Sequence, residues 1–303
     1  MRGDILFYKL SFFVILKSNN GELEIRKIQM TQETQHRLIA AFSDGANKIL
    51  DSKLEKVEFD GNYKPEKGEI NVISNYKIDE EIISAIKEPT SINELEAKED
   101  MILKIGSIFC GNISENKKVV CFSNFTKANY ITKKGITNIF HNGETFVYVP
   151  GPGFNISGEV DVIFYNGELL FWNYWTARQI LDLTSYYREA TNEDLNDFIN
   201  HDAVNVADPD TFVMMSDSWV RRKIALLKDS EVLDYCRPSL IAEKAEEYGV
   251  EISVTNEKDK EKINIPLEKR ELKNVLRFLD EDYFCGPITN AKYLTNSKRK
   301  VRK

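Results

Sequence analysis

Three histidines, His36, His141 and His201, are the only imidazoles in the chain, and none has a second ligand at metal-binding spacing. The phosphate-cradling G-x-x-x-x-G-K-[ST], the nucleophile elbow G-x-S-x-G and the zinc motif H-E-x-x-H do not occur. The run Pro150-Gly151-Pro152-Gly153 has no phosphate-loop spacing and reads as a turn. The best acidic constellation is His201 and Asp202 with Asp208 and Asp210, which could hold Mg²⁺ for phosphodiester cleavage. Against that, Asp208-Pro209-Asp210 has the composition of a turn, and acids at helix starts are ordinary. Asp161 and Glu168 fall on facing strands of one hairpin, with no lysine at a nuclease-like offset, and read as solvent-face partners. The expectation is no enzyme, no metal and no cofactor.

Positive charge is more informative. The stretch 289–303 carries Lys292, Lys298, Arg299, Lys300, Arg302 and Lys303 and no acid. The chain has 41 basic and 48 acidic side chains, so with those six removed residues 1–288 keep 35 against 48, net −13. A +6 tail on a −13 body meets either its own acidic surface or an external polyanion, and nucleic acid is the usual one. Residues 101–140 form a second island, with Lys104, Lys117, Lys118, Lys127, Lys133 and Lys134 against Glu115 alone. Phe122, Phe125 and Tyr130 interleave with these lysines, as base-stacking residues or as the inner face of a sheet, and the core reading is the more ordinary. The third island is Arg221, Arg222, Lys223 and Lys228, placed outward on a helix with Trp219, Ile224 and Leu227 inward and Ser216 or Ser218 as its cap. If the fold joins two islands, they make a groove that steers DNA to one face of an otherwise acidic molecule.

The elements that would hold these residues follow from periodicity. Alternating runs at 10–16 and 23–28 read as a hairpin, and 31–51 as a helix that Gly45 weakens by roughly 1 kcal/mol relative to Ala. Residues 51–100 hold 14 acids against 7 bases, with short strands at 56–59 and 70–76, a helix at 80–87, and a Ser91/Glu94 capping box. Strands are expected at 102–109, 119–125 and 145–149. The clearest element is the hairpin at 160–172, whose Asn166-Gly167 pair demands a type I′ turn. Helices follow at 177–187 and 191–199, after Ser218, and from Pro238 to Gly249; 250–254 and 263–265 bracket a charged loop. Between 189 and 218 eight acids stand without a Lys or Arg. Leu272, Val275, Leu276 and Leu279 recur at i, i+3, i+4, i+7, one face of a final helix that Gly286-Pro287 stops. The fold class is therefore α+β, a strand-rich N-terminal part with antiparallel hairpins and a helix-rich C-terminal part. The divisions are 1–100, then a core of 101–303 with a β-meander to about 173 and helices with the basic tail after 174.

At 303 residues with 42% apolar and 11% aromatic content, core material is ample. Cys110, Cys121, Cys236 and Cys285 form no C-x-x-C pair, which fits free thiols in a reducing cytoplasm, although Cys110 and Cys121 could face each other across strands. Lys9 interrupts the apolar 5–16 run, Asp4 and Lys17 bound it, and no small-residue cleavage pattern follows, so no signal peptide is read there, and nowhere do about 18 apolar residues run together.

The run from Val275 to Val301 resembles the C-terminal signature of the KwaB-like family, the soluble component of the Kiwa anti-phage defence system of bacteria. The features that carry it are Phe278-Leu279-Asp280-Glu281-Asp282-Tyr283, Gly286, Thr289, Tyr293 and Asn296-Ser297-Lys298-Arg299, with weaker likeness at 160–172, 247–250 and 263–266. The resemblance implies binding of double-stranded DNA, a homodimer, attachment to the membrane protein KwaA, and a block of phage replication and transcription. The chain would then be cytoplasmic, peripheral to the inner membrane through its partner. Carried onto this sequence, the motif points to Lys292, Tyr293, Asn296, Ser297, Lys298 and Arg299, with the lysines and arginine on phosphates. Arg221, Arg222, Lys223, Lys133 and Lys134 join them as candidate DNA contacts, and Asp280 and Asp282 read as anchors of the tail by ion pairs. Lys298→Glu with Arg299→Glu is expected to abolish DNA binding and leave the fold intact. Two other functions remain open: an Mg²⁺-dependent nuclease using the Asp202–Asp217 acids, and an adaptor docking a membrane protein through its acidic faces with DNA irrelevant.

Overall fold

A computed structural model of the chain describes residues 10–17, 23–131, 139–142, 145–148, 153–257 and 260–299. The chain divides into two compact units, one of Met1–Phe59 and Pro65–Leu183, the other of Asp60–Lys64 and Thr184–Lys303.

In the first unit β1 (Phe13–Leu16) and β2 (Glu24–Lys27) form the expected antiparallel hairpin and lead into α1 (Gln32–Ile49), capped by Thr31. Then come β3 (Glu55–Glu58), β4 (Glu69–Ile73), α2 (Glu80–Lys87), α3 (Glu99–Ile102), β5 (Ile105–Ile113) and β6 (Lys118–Asn124). A small pair, β7 (Ile139–Asn142) and β8 (Thr145–Tyr148), precedes β9 (Val162–Tyr165), β10 (Glu168–Phe171) and α4 (Tyr174–Ile180). Eight strands form one sheet in the order β2-β1-β5-β6-β9-β10-β4-β3, so strands from before and after residue 100 share it. The β9–β10 turn has φ of 49° at Asn166 and 90° at Gly167, the two positive values that a type I′ turn needs.

Both faces of the central strands are covered, which is why β5 and β6 read as near-continuous apolar runs rather than clean alternation. Phe12, Val14, Ile108, Cys110 and Cys121 pack with Phe42 and Ala46 of α1. On the other face Phe13 stacks on Phe109, with ring centroids 5.1 Å apart, and α2 and α4 pack against β5. Phe122 and Phe125 are buried, so the aromatics among the lysines are core. Cys110 and Cys121 are direct cross-strand partners and both thiols are free. Burial pushes both thiols up, that of Cys121 to about 12, so neither is a nucleophile at neutral pH.

Gly45 has a packing reason that helix propensity does not supply. A methyl there would lie 2.7 Å from both the Gly158 carbonyl oxygen and the Val160 Cγ2. Gly45→Ala is expected to destabilise the first unit by up to about 2 kcal/mol, because overpacking of roughly 1–3 kcal/mol outweighs the ~1 kcal/mol propensity gain. Urea unfolding gives the sign directly: a stabilised variant would mean that the helix end moves away freely.

Several elements fall differently from the sequence expectation. No helix forms at 91–94, where Glu94 instead bridges Lys27. The helix expected at 177–187 begins earlier, at Tyr174 under an Asn173 cap, and ends at Ile180, leaving only a short 3₁₀ turn at Thr184–Tyr186. The Pro150–Gly153 run, apart from Gly153, and the lysines at 133 and 134 lie outside the described residues.

The second unit is helical. It runs α5 (Asn192–Ile199), β11 (Val204–Val206), α6 (Pro209–Met215), α7 (Ser218–Ser230), α8 (Val232–Tyr235) and α9 (Pro238–Glu246), then β12 (Val254–Glu257), β13 (Lys260–Ile265), α10 (Lys269–Leu279), β14 (Tyr283–Cys285) and β15 (Lys292–Leu294). Thr191 and Asp194 close the expected capping box on α5. Asp208-Pro209-Asp210 is an acidic helix start, since Asp208 caps α6 and Pro209 takes the first helical position, where no N–H is needed. The hairpin after Gly249 pairs 254–257 with 260–265, and β11 joins β13 in parallel.

Leu272, Val275, Leu276 and Leu279 of α10 are buried, each contributing roughly 1.5–3 kcal/mol relative to exposure, and the helix packs on α7. It ends at Leu279, not at Gly286-Pro287: Asp280 is its C-cap, Glu281 turns the chain with φ 55°, and Gly286 sits in the β14–β15 hairpin. Among the described residues no helix is long and apolar enough to cross a membrane. The protein is thus α+β, strand-rich in its N-terminal part and helix-rich in its C-terminal part.

Candidate anion-binding cleft

Helix α7 supplies the centre of the site. Asp217 caps it, rather than Ser216 or Ser218, by accepting the Val220 N–H at 3.1 Å. The expected outward set on this helix is half correct. Arg222 is only 7% exposed and Lys223 is largely covered, whereas Trp219 is half-exposed. A buried guanidinium needs acceptors, and Arg222 finds backbone ones: the Arg188 carbonyl at 2.9 Å and the Asp60 carbonyl at 2.6 Å, with Asn62 Oδ1 at 3.3 Å and the Tyr187 ring 4.5 Å away. Its Nε–H is buried without an acceptor among the described residues.

The segment Asp60–Lys64 is shaped for this contact. The Asp60 carboxylate accepts the N–H groups of Asn62 and Tyr63 at 2.7 and 3.1 Å, an Asx turn. Gly61 has φ of 74°, and a methyl there would stand 2.7 Å from an Arg222 nitrogen, so the position requires glycine on both counts.

Lys223 donates to Asp280 and Asp282 at 2.5 Å each. Lys298 lies 3.2 Å from the same Asp280 oxygen and 3.1 Å from Asp282, and also donates to the Asp280 carbonyl. The two aspartates are 7% and 4% exposed. This is the ion-paired anchoring read for them in sequence, with a second lysine added. As far as Arg299 the tail is therefore fixed by contacts of its own. Lys298 N–H donates to the Asn62 carbonyl at 3.2 Å, Ser297 Oγ accepts the Lys64 N–H at 3.0 Å, and Arg299 lies over the Tyr63 ring at 4.8 Å.

Between these groups lies a cleft of about 130 Å³, lined by Arg222, Lys223, Arg277, Lys298, Trp219 and Asn296 among others. Four cations and the two carboxylates of Asp280 and Asp282 line it, a net charge of +2. Arg277, Lys223 and Lys273 surround the Trp219 indole at 5.6, 5.8 and 5.2 Å, so its faces are already cation-coated.

Of the ten sequence candidates, Arg222, Lys223, Asn296 and Lys298 line this cleft, and Ser297 and Arg299 fix the segment that closes it. Lys292 is elsewhere, on the Glu247 carbonyl and over the Tyr248 ring at 5.0 Å. Arg221 turns to the carbonyls of Ser216 and Ala190 at 3.1 and 2.8 Å and to Asn192. Lys133 and Lys134 lie outside the described residues, as do Lys300, Arg302 and Lys303. Sequence reasoning missed Arg277, whose signal was its place four residues after Lys273 on the polar face of α10. It also missed Asp60–Lys64, which carries no signal because its partners are over 150 residues away.

Lys298→Glu with Arg299→Glu is not structurally neutral, as the sequence alone suggested. It would set a third carboxylate against Asp280 and Asp282 where an ammonium now compensates both.

The acids of the nuclease alternative are otherwise engaged. Asp208 caps α6, Asp217 caps α7, Asp202 pairs with Lys260 at 2.8 Å, and His201 meets Asp234 at 3.1 Å. Lys228, part of the third basic island, bridges Asp194 and Asp197, and its hydrogen bond pulls the Asp194 carboxyl down to about 2. Among the described residues no group of three or more His, Cys, Asp or Glu side chains is placed to hold a metal.

Comparison with known proteins gives one match. The family model described as Kiwa protein KwaB-like matches residues 107–289, which takes in β6, β9 and β10 and every helix from α4 to α10. The match ends before Lys292 and the Asn296–Arg299 segment. No curated protein and no solved structure matches. A family match over more than half of the chain places it in the KwaB-like family, a component of the Kiwa anti-phage defence system.

Proposed function

We propose that the protein binds double-stranded phage DNA through its phosphates, without cleaving it, and so blocks replication and transcription. In this reading it works as a homodimer, peripheral to the inner membrane through the membrane protein KwaA of the same defence system. The observation that carries the reading is the cleft itself: four cations and two carboxylates in one place, net +2, on a chain of net −7. An acidic protein that gathers cations locally repels a polyanion everywhere else and orients it. The half-buried polar face of α10, with Lys273 and Arg277, extends the positive surface beside the cleft. Contacts to phosphate carry no base information, so little sequence preference is expected.

A gel shift on a duplex of arbitrary sequence, run across a range of salt, tests this. For about five phosphate contacts log affinity should fall against log salt with a slope of roughly −4 to −5, each contact contributing about −0.9. Added Mg²⁺ should leave the duplex intact. A flat salt response sinks the reading. Degradation lost on Asp208→Ala with Asp210→Ala would replace it with the nuclease.

A further inference from the structure

Three features of the cleft suit a strand end better than an internal stretch of DNA backbone. The first is size. At about 130 Å³ the cleft has room for a phosphoryl group against its walls. The second is charge. An internal phosphodiester carries one negative charge, whereas a phosphate monoester carries about −1.5 to −2 at neutral pH, and the cleft walls sum to +2.

The third is an unused set of donors. Arg222 lines the cleft and brings its charge there, although its terminal nitrogens are held by carbonyls and its Nε is buried. Lys223 gives two of its three protons to Asp280 and Asp282, leaving one. Arg277 stacks on Trp219 and makes no hydrogen bond or ion pair through its guanidinium with another described residue. The carboxylates hold the two lysines at fixed positions, and so act as scaffolding for donors directed elsewhere.

We propose that the cleft is a site for a phosphate monoester, and that its ligand is the terminal phosphate of a DNA strand. This rests on the DNA-binding reading and sharpens it, since it makes a strand end a better ligand than the interior of a duplex. An end group presents three terminal oxygens to Arg277 and Lys223, beside the positive charge of Arg222, where a diester presents two and a chain on either side. The positive surface of α10 then takes the next phosphates along.

The test compares binding of the full chain to four duplexes of one sequence: 5′-phosphorylated, 3′-phosphorylated, dephosphorylated at all ends, and closed as a circle. The expected result is that at least one phosphorylated form binds about tenfold more tightly than the dephosphorylated and circular forms, the ratio that one or two charge-assisted hydrogen bonds contribute. Millimolar inorganic phosphate or a nucleoside 5′-monophosphate should remove the difference. Arg277→Gln, on the surface of α10, should remove it also. Asp282→Asn, which raises the cleft to +3, should enlarge it in protein shown to be folded. Equal binding to all four duplexes overturns the terminal-phosphate site while leaving duplex binding in place. No binding to any of them overturns the DNA reading itself. Competition by phosphate with no discrimination between ends would reassign the cleft to a free phosphate or mononucleotide.

Discussion

Asp280→Ala combined with Asp282→Ala is expected to lower the stability of the second unit by at least about 3–5 kcal/mol, the range found when one side of a buried ion pair is removed. The two carboxylates are 7% and 4% exposed and between them compensate both Lys223 and Lys298. Without them two ammonium groups stay in a covered site with no counter-charge, and the Lys298 segment loses what holds it beside Asn62. Domains are stable by only about 5–15 kcal/mol, so this change removes a large share of the total. Urea unfolding, read by hydrogen exchange in α7 and α10, gives the number. Replacing all four charged groups with apolar side chains of similar volume should restore much of the loss, because a buried quartet offsets its own desolvation only approximately. A double alanine variant within about 0.5 kcal/mol of the parent would mean that water reaches these lysines in solution.

The local signals in the sequence survive in the fold, and the long-range ones do not. Asn166-Gly167 specifies its turn because few residues accept two positive φ values in a row. The 272/275/276/279 stripe specifies the buried face of α10 because helical period and apolarity leave one solution. Asp280 and Asp282 are legible as anchors because acids facing an all-basic tail have an obvious partner. Arg222 was not legible. Arginine on a helix beside two other cations reads as solvated, and only the carbonyls of Asp60 and Arg188, far away in sequence, turn it inward. Composition likewise gave the sign of the tail but not its state. Lys298 is basic and yet already paired, so the free positive charge in the cleft lies with Arg222 and Arg277 rather than with the tail motif. The expected groove of joined islands reduces to α7, α10 and one tail segment, with Arg221, Lys228 and Lys292 held in contacts of their own.

The variant that separates DNA contact from tail anchoring is therefore Lys273→Glu with Arg277→Glu. These residues stand four apart on the half-buried polar face of α10, and both approach the Trp219 ring without an ion pair to a described residue. Their removal forfeits two cation–π contacts of about 0.5–1 kcal/mol each, and the new Glu–Glu neighbours add roughly 0.2–0.5 kcal/mol of repulsion. The fold should tolerate that sum, unlike the larger loss from disturbing Lys298 among two buried carboxylates. On DNA the effect is large. Two phosphate contacts are lost and two like charges take their place, so duplex affinity should fall more than tenfold and the salt slope should flatten by about 2 units. The loss should be the same for unrelated sequences, since no base edge is read. Reversing Lys292, whose ammonium is already engaged at Glu247 and Tyr248, should change affinity far less. If Lys273→Glu with Arg277→Glu stays folded and keeps parental affinity and slope, α10 does not face the duplex. DNA binding would then have to come from surfaces outside this cleft.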